Sequence, residues 1–498
     1  MMAVLDDASD LDLLSAIELR GLLAARQVSP VELTERALRR AEATQSTINA
    51  FSCLMPVSAR QAARRAEAAI LRGDPTGPLH GLPVSVKDLI AVAGEPWEMG
   101  SRSRAGITAT VDAPVVERVR AQGAILIGKT TTSEFGCKAV GDSPATGITR
   151  NPRDLSKTPG GSSAGAAASV AAGITSLAVG TDGGGSLRIP AALTGLVGFK
   201  AQFGRVPVWP PTATPTLAHV GALARTVGDA ALLTSVLAGY DPRDPFSIAG
   251  PTPDLLTALR SSVEGVRIAW SATLGYARAD ADIVRIGRSR VLALANEGAR
   301  VEEVEEILDT DPEPIWSSEF YGGVGTHLRP ILLNQRELLD PAVAERLDWA
   351  QRQGREGDGN RTAERLALRD RMARWLNYFD VLITPTLPIS SLGIGWNAPA
   401  RLAGRGPISW SMYTYPFNLT GQPALSLCAG TAADGSPIGL QVVGPALGEA
   451  LVIRVAAAIE RATAQDRPHR FDGGPITWAR HDDAAQRMST VEKGRPST

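Results

Sequence analysis

Between Ile174 and Pro190 the chain runs without pause from an apolar stretch through a glycine cluster into a helix start. Few folds accommodate that order. Ile174–Val179 reads as a buried strand, Gly180-Thr181-Asp182-Gly183-Gly184-Gly185-Ser186 as a turn, and Arg188-Ile189-Pro190 as the first turn of a helix, where proline is tolerated. A strand that turns on glycines and feeds a helix belongs to a sheet with helices on its faces. In open sheets of that kind ligands sit beyond the carboxyl ends of the strands. Three successive glycines let backbone N–H groups turn toward one point, a cradle for an oxyanion, and Ser186 closes it. A tight turn without chemistry is the other reading of the same residues.

The texture extends over residues 79–200. Leu82–Lys87 and Ala124–Ile127 read as strands, Pro114–Ala121 as a helix, and Ser163–Ala172 as a small-residue helix closed by Gly173. Residues 10–72 read as helices wrapping the body, with Ser29-Pro30 as N-cap and first helical residue. Downstream, strands at 267–270 and 301–304 flank a helix at 280–297. Residues 310–378 are mostly helical, 381–383 form a strand, and 448–463 a helix. No repeat or linker interrupts the pattern. The expected organisation is α/β: N-terminal helices over 1–72, a single large domain over 73–470, and a polar tail over 471–498.

Composition narrows the function. Apolar residues make up 44%, enough for a large core. Lys+Arg number 51 against Asp+Glu 52, a balance that argues against a nucleic-acid or anionic-membrane binder. Cys53, Cys137 and Cys428 form no C-x-x-C pair, so neither a disulfide framework nor a zinc site is indicated. The start is acidic and lacks the cationic and apolar regions of a secretory signal. The uncharged run Thr158–Thr181 is rich in Gly, Ala and Ser and reads as buried backbone, not a membrane span. A cytoplasmic location is expected.

Two motif matches dissolve under physical scrutiny. Gly123 to Thr130 fits the phosphate-loop pattern by letter, but its strand lies inside the motif instead of before it. Gly161-Ser162-Ser163-Ala164-Gly165 fits a nucleophile elbow, but a turn, Lys157 to Gly161, precedes it where a strand is required. Of the five histidines, His219 and His469 follow that motif in sequence order and could in principle complete such a triad. Lysine offers another base. Five of the six lysines, Lys87, Lys129, Lys138, Lys157 and Lys200, fall in one stretch, in a chain that otherwise uses arginine. Lysine can lose its proton when buried and arginine cannot. Lys87 ends a strand, so burial could bring its pKa down. It could then serve Ser186 through a hydroxyl, with Ser162 and Ser163 as relay candidates. Ordinary ion pairing and N-capping are the alternatives for these residues.

These blocks resemble the amidase signature family. The resemblance is carried by Thr158-Pro-Gly-Gly-Ser162-Ser163-Ala-Gly165, Gly180-Thr-Asp-Gly-Gly-Gly-Ser186-Leu-Arg-Ile-Pro190 and Gly195-Leu-Val-Gly-Phe-Lys200, with Pro78 to Asp88 around Lys87. It extends over roughly residues 10–465. It implies one α/β domain with a large mixed sheet covered by helices. It also implies a Ser–cis-Ser–Lys triad: Ser186 as nucleophile, Ser162 as relay and Lys87 as neutral base, with Gly183, Gly184 and Gly185 in the oxyanion hole. Ala164, Gly183, Ala201 and Ala222 depart from the family pattern without removing a catalytic group, and Gly183 is expected to loosen one wall of the hole.

The expected activity is that of a stand-alone hydrolase of linear aryl or alkyl amides, extending to esters or carbamates (urethanes). No metal or organic cofactor is expected. The expected partner is the small-molecule substrate, with no nucleic acid and no membrane; a homodimer stays open. Candidate substrate contacts are Ser163, Trp209 and Trp316, with ordinary loop packing as the alternative for both tryptophans. The rival readings are a glutaminase-type component of a tRNA-dependent amidotransferase and a catalytically silent binding protein.

Overall fold

A computed structural model describes residues 10–355 and 361–463. The strands, in chain order, are β1 (Phe51–Leu54), β2 (Pro83–Lys87), β3 (Ile125–Thr130), β4 (Asp142–Ser143), β5 (Gly147–Ile148) and β6 (Leu177–Asp182). Then come β7 (Val197–Lys200), β8 (His219–Ala224), β9 (Arg267–Trp270), β10 (Arg300–Glu303), β11 (Val381–Pro385), β12 (Ala424–Thr431) and β13 (Pro437–Val443). Eleven of them form one sheet in the order β1-β3-β2-β6-β8-β7-β12-β13-β11-β9-β10, while β4 and β5 pair separately. The sheet is mixed. β2 runs parallel to both β3 and β6, whereas β6–β8, β7–β8 and β12–β13 are antiparallel.

Burial follows from the sequence. The strands β2, β3, β6, β8, β11 and β13 are buried almost throughout, as strands covered on both faces must be. One core cluster packs on one face of the sheet through residues such as Val84, Leu177, Leu233 and Ile453. A second cluster is rich in aromatic residues, among them Trp316, Tyr321, Trp410, Tyr413, Tyr415 and Phe417. The helix Ala164–Ala171 is built almost wholly from Ala, Gly and Ser, which lets it lie close to its neighbours. A Cβ on Gly165 would sit 2.1 Å from the Ala50 carbonyl oxygen.

The expected α/β architecture is present, with three departures. Residues 10–72 are not purely helical: β1 lies between the helices Pro30–Ile48 and Pro56–Arg72 and forms one edge of the sheet against β3. The strand expected at 174–179 begins at Leu177 and continues to Asp182. The strands β7, β8, β12 and β13 fill the middle of the sheet, where the sequence pattern assigns none. The tail over 471–498 lies outside the described residues, as does His469. Among the described residues, no helix is long and apolar enough to cross a membrane.

Candidate active site

Register puts the reactive groups together. Val86 on β2 pairs with Val179 on the parallel strand β6, so both strands deliver their last residues to one end of the sheet. Lys87 closes β2, and Thr181 and Asp182 close β6. The small-residue helix begins at the same end and brings Ser162 and Ser163 into reach. The Gly161–Ser162 peptide bond is cis.

Lys87 is fully buried. Its Nζ lies 2.7 Å from Ser162 Oγ, 3.0 Å from Ser163 Oγ and 2.8 Å from Thr181 Oγ1. Ser162 Oγ is 2.9 Å from Ser186 Oγ. Among the described residues no carboxylate lies within ion-pair distance of Lys87. Burial therefore pushes its pKa well below the usual lysine value, against a weaker upward pull from Asp182. A neutral amine has two N–H donors and one lone pair. Three hydroxyl neighbours match that inventory if one of them donates to the nitrogen. Ser163 cannot be that one, because its hydroxyl donates to the Thr181 carbonyl at 3.0 Å. Of the remaining two, Ser162 and Thr181, only Ser162 also meets Ser186 Oγ, so it is the hydroxyl placed between the amine and Ser186.

The glycine turn is held from all sides. Gly185 N–H donates to Asp182 Oδ1 at 2.7 Å, so it is not free to meet a ligand, contrary to its expected place in an oxyanion hole. Among the described residues, the N–H groups of Gly183, Gly184 and Ser186 meet no protein acceptor. Asp182 is fixed in turn by Arg188, whose guanidinium also binds the Thr414 carbonyl, Gln441 Oε1 and Asn418 Oδ1. Burial alone would raise the Asp182 carboxyl, but Arg188 overrides it and holds the group far below the usual carboxylate range. Gly183 does not leave a gap in the wall. A Cβ there would come within 3.0 Å of the Phe320 ring, which occupies the space.

Ser162, Thr181, Gly183 and Ser186 open into a cavity of about 150 Å³. Its walls include Leu89, Trp97, Phe135, Trp209, Phe320 and Val324, and among the described residues the only acidic or basic side chains lining it are His219 and His327. His219 is unsuited to act as a base. Its Nδ1 faces the Leu217 and Asp182 carbonyls, and its Nε2 faces Lys200. Burial, reinforced by Lys200, keeps the ring's pKa well below its usual value.

Of the three candidate substrate contacts, only Trp209 lines this cavity. Ser163 sits behind it, bound to Lys87 and Thr181. Trp316 is 1% exposed and backs the glycine turn, its Nε1 donating to the Gly183 carbonyl. Lys129 and Lys138 are structural, paired with Asp88 and with Asp142 and Asp340 respectively. Lys129 lies on β3, which rules out the phosphate-loop reading. Sequence reasoning misses Thr181, Thr414, Asn418 and Gln441. Thr181 lies in the glycine block itself and needs only the register of β6. The others come from distant segments and leave no local signal.

The family model described as Amidase matches residues 32–453. An acylamidase of Rhodococcus erythropolis is 35% identical over 470 residues, covering 91% of this chain and 97% of that protein. The glutamyl-tRNA(Gln) amidotransferase A subunit of Chloroflexus aggregans is 36% identical over 470 residues, covering 89% and 94%. The crystal structure of a bacterial aryl acylamidase of the amidase signature enzymes superposes with a TM-score of 0.84 at 30% identity, covering 92% of this chain and 98% of that one. By sequence and by architecture, the chain belongs to the amidase family, the amidase signature enzymes.

Proposed function

We propose that this amide hydrolase works as a free-standing enzyme on neutral amides with an apolar acyl or aryl group, through an acyl-enzyme on Ser186. The observation that carries the reading is the continuous line Lys87–Ser162–Ser186 opening into a cavity whose described walls hold no carboxylate, lysine or arginine. The hydroxyls rotate so that Ser186 passes its proton to Ser162 Oγ while Ser162 passes its own to Lys87 Nζ. Ser186 Oγ bonds to the substrate carbonyl carbon, and the carbonyl oxygen takes the negative charge. The open N–H groups of Gly183, Gly184 and Ser186 receive that oxygen. Collapse breaks the C–N bond, and the leaving nitrogen takes the proton back from Lys87 through Ser162. Water repeats the sequence on the acyl-enzyme and releases the acid. The same steps extend to aryl esters and carbamates.

The similarity to amidotransferase A subunits raises glutamine as a rival substrate. Glutamine brings an α-ammonium and an α-carboxylate, and burying either without a counter-charge costs several kcal/mol. The described cavity wall supplies no carboxylate for the ammonium, and no lysine or arginine for the carboxylate. The test compares the purified chain on a neutral aryl anilide, an aryl carbamate and glutamine, with Ser186→Ala as control. Turnover of the aryl substrates, lost in the variant, supports the proposal. Glutamine turnover without aryl turnover overturns it.

A further inference from the structure

A trans peptide is planar, with its C=O and N–H pointing in opposite directions. Whatever grips the carbonyl of one residue therefore aims the N–H of the next. The glycine turn can be read plane by plane. The Asp182 carbonyl accepts from Asn418 Nδ2 at 3.0 Å, which directs Gly183 N–H the other way. The Gly185 carbonyl accepts from Ile189 N–H at 2.7 Å, which directs Ser186 N–H. The Gly183 carbonyl accepts from Trp316 Nε1 at 2.8 Å, which directs Gly184 N–H.

The second grip is local to the turn, and the first comes from Asn418, which is also tied to the Asp182 carboxylate and to Arg188. The third comes from the helix Glu313–His327, far along the chain. The indole is stacked on Phe320 at 4.6 Å between centroids and on Tyr415 at 6.0 Å, so its N–H is held in place. Gly184 has no positive φ that would require glycine. What excludes a side chain there is the indole itself, since a Cβ would lie 2.6 Å from Trp316 Cζ2. Trp316 thus touches the turn by a hydrogen bond to the peptide before Gly184 and by close packing beside it.

We propose that Trp316 is a positioning residue for the oxyanion hole: it aims Gly184 N–H at the tetrahedral oxygen without meeting the substrate. This rests on the acyl-enzyme reading above. A donor aimed at the oxyanion stabilises the transition state and not the bound amide, so its loss lowers kcat and leaves KM nearly unchanged.

The experiment uses Trp316→Phe, which keeps an aromatic ring in the stack and removes the N–H. A second form carries β-(3-benzothienyl)alanine at position 316, which keeps the bicyclic shape and exchanges only N–H for sulfur. Three quantities are read: kcat and KM on a neutral anilide, inhibition by the aldehyde of the same acyl group, and inhibition by the matching alcohol. The aldehyde forms a tetrahedral adduct on serine, whereas the alcohol only fills the cavity. Removing an oxyanion donor outright costs about 10²–10³ in kcat, and a misaimed one is expected to cost about tenfold. The proposal predicts that loss in kcat, an equal loss in aldehyde affinity, and alcohol affinity and KM within about twofold in both forms. Unchanged kcat in the benzothienyl form overturns it, and so does a rise in KM with weaker alcohol binding, which would make Trp316 a cavity wall. Failure of the acyl-enzyme reading has its own signature: the aldehyde would then not inhibit the wild-type enzyme at all.

Discussion

Replacing Lys87 with methionine separates the charge state of the lysine from its role in turnover. The side chain is fully buried among three hydroxyls, and burial depresses its pKa well below the ordinary value of 10.5. Between the folded and unfolded values the unfolded chain binds a proton that the folded chain does not. The stability of the wild-type protein therefore rises with pH across that window, by up to about 1.4 kcal/mol per pH unit. Below the folded value this contribution to the slope vanishes. Methionine has similar length and no proton, so Lys87→Met lacks this contribution entirely. The lost hydrogen bonds add an offset that does not depend on pH, because Ser163 keeps its bond to the Thr181 carbonyl and Ser162 its contact with Ser186. Guanidinium unfolding of both proteins at three pH values, about 7, 8 and 9, gives the difference directly. The wild type should lose about 1.4 kcal/mol relative to the variant for each unit that pH falls while Lys87 is neutral. A difference that stays flat across that range would mean that Lys87 is charged in the folded state, and the base assignment would be wrong. The variant should also lose about 10²–10⁴ in kcat, the worth of general-base catalysis, since the nearby His219 ring has both nitrogens engaged.

The remaining predictions concern the neighbours of that lysine. Ser162→Ala should lower kcat on an anilide by about 10³, whereas Ser163→Ala should lower it by about tenfold, because Ser163 only orients Lys87; equal losses would refute the distinction. kcat/KM should rise with pH as Lys87 loses its proton and then level off; a profile with an acid optimum would contradict it. Arg188→Lys cannot reproduce the planar fork that binds Asp182, Gln441, Asn418 and the Thr414 carbonyl. It should lower stability by about 3 kcal/mol, read from the denaturant midpoint, together with most of the activity; wild-type stability would show that the network is not needed.

How much of this is written locally can be judged residue by residue. Lys87, Ser162 and Ser186 sit in segments whose turns and strand ends are specified by their own glycines and apolar runs, so their neighbourhood can be argued from the residues alone. The mixed sheet is legible at its parallel part, β2, β3 and β6, because these strands alternate with helices. The antiparallel middle is not. β8 reads His-Val-Gly-Ala-Leu-Ala, without alternation, and β13 Pro-Ile-Gly-Leu-Gln-Val-Val, which starts on proline; the glycine inside each weakens the strand signal. β1 has four residues between two long helices and is fixed by its pairing with β3. The support of the glycine turn is also out of reach. Thr414 approaches Gly184 and Trp316 approaches Gly183 from segments far along the chain, and only the packed aromatic side of the fold brings them there. Trp209 and Trp316 look alike as aromatic residues in the sequence, yet one faces the cavity and the other the backbone behind it.

The central claim is that Ser186 carries the acyl group. The direct measurement mixes the enzyme with the p-nitrophenyl ester of an apolar acid, quenches it in acid within the first turnover, and maps the peptides by mass. One acyl group per chain on Ser186, absent from Ser186→Ala, is the predicted result. Nitrophenol release without any bound acyl group, or an acyl group on another residue, would contradict the account.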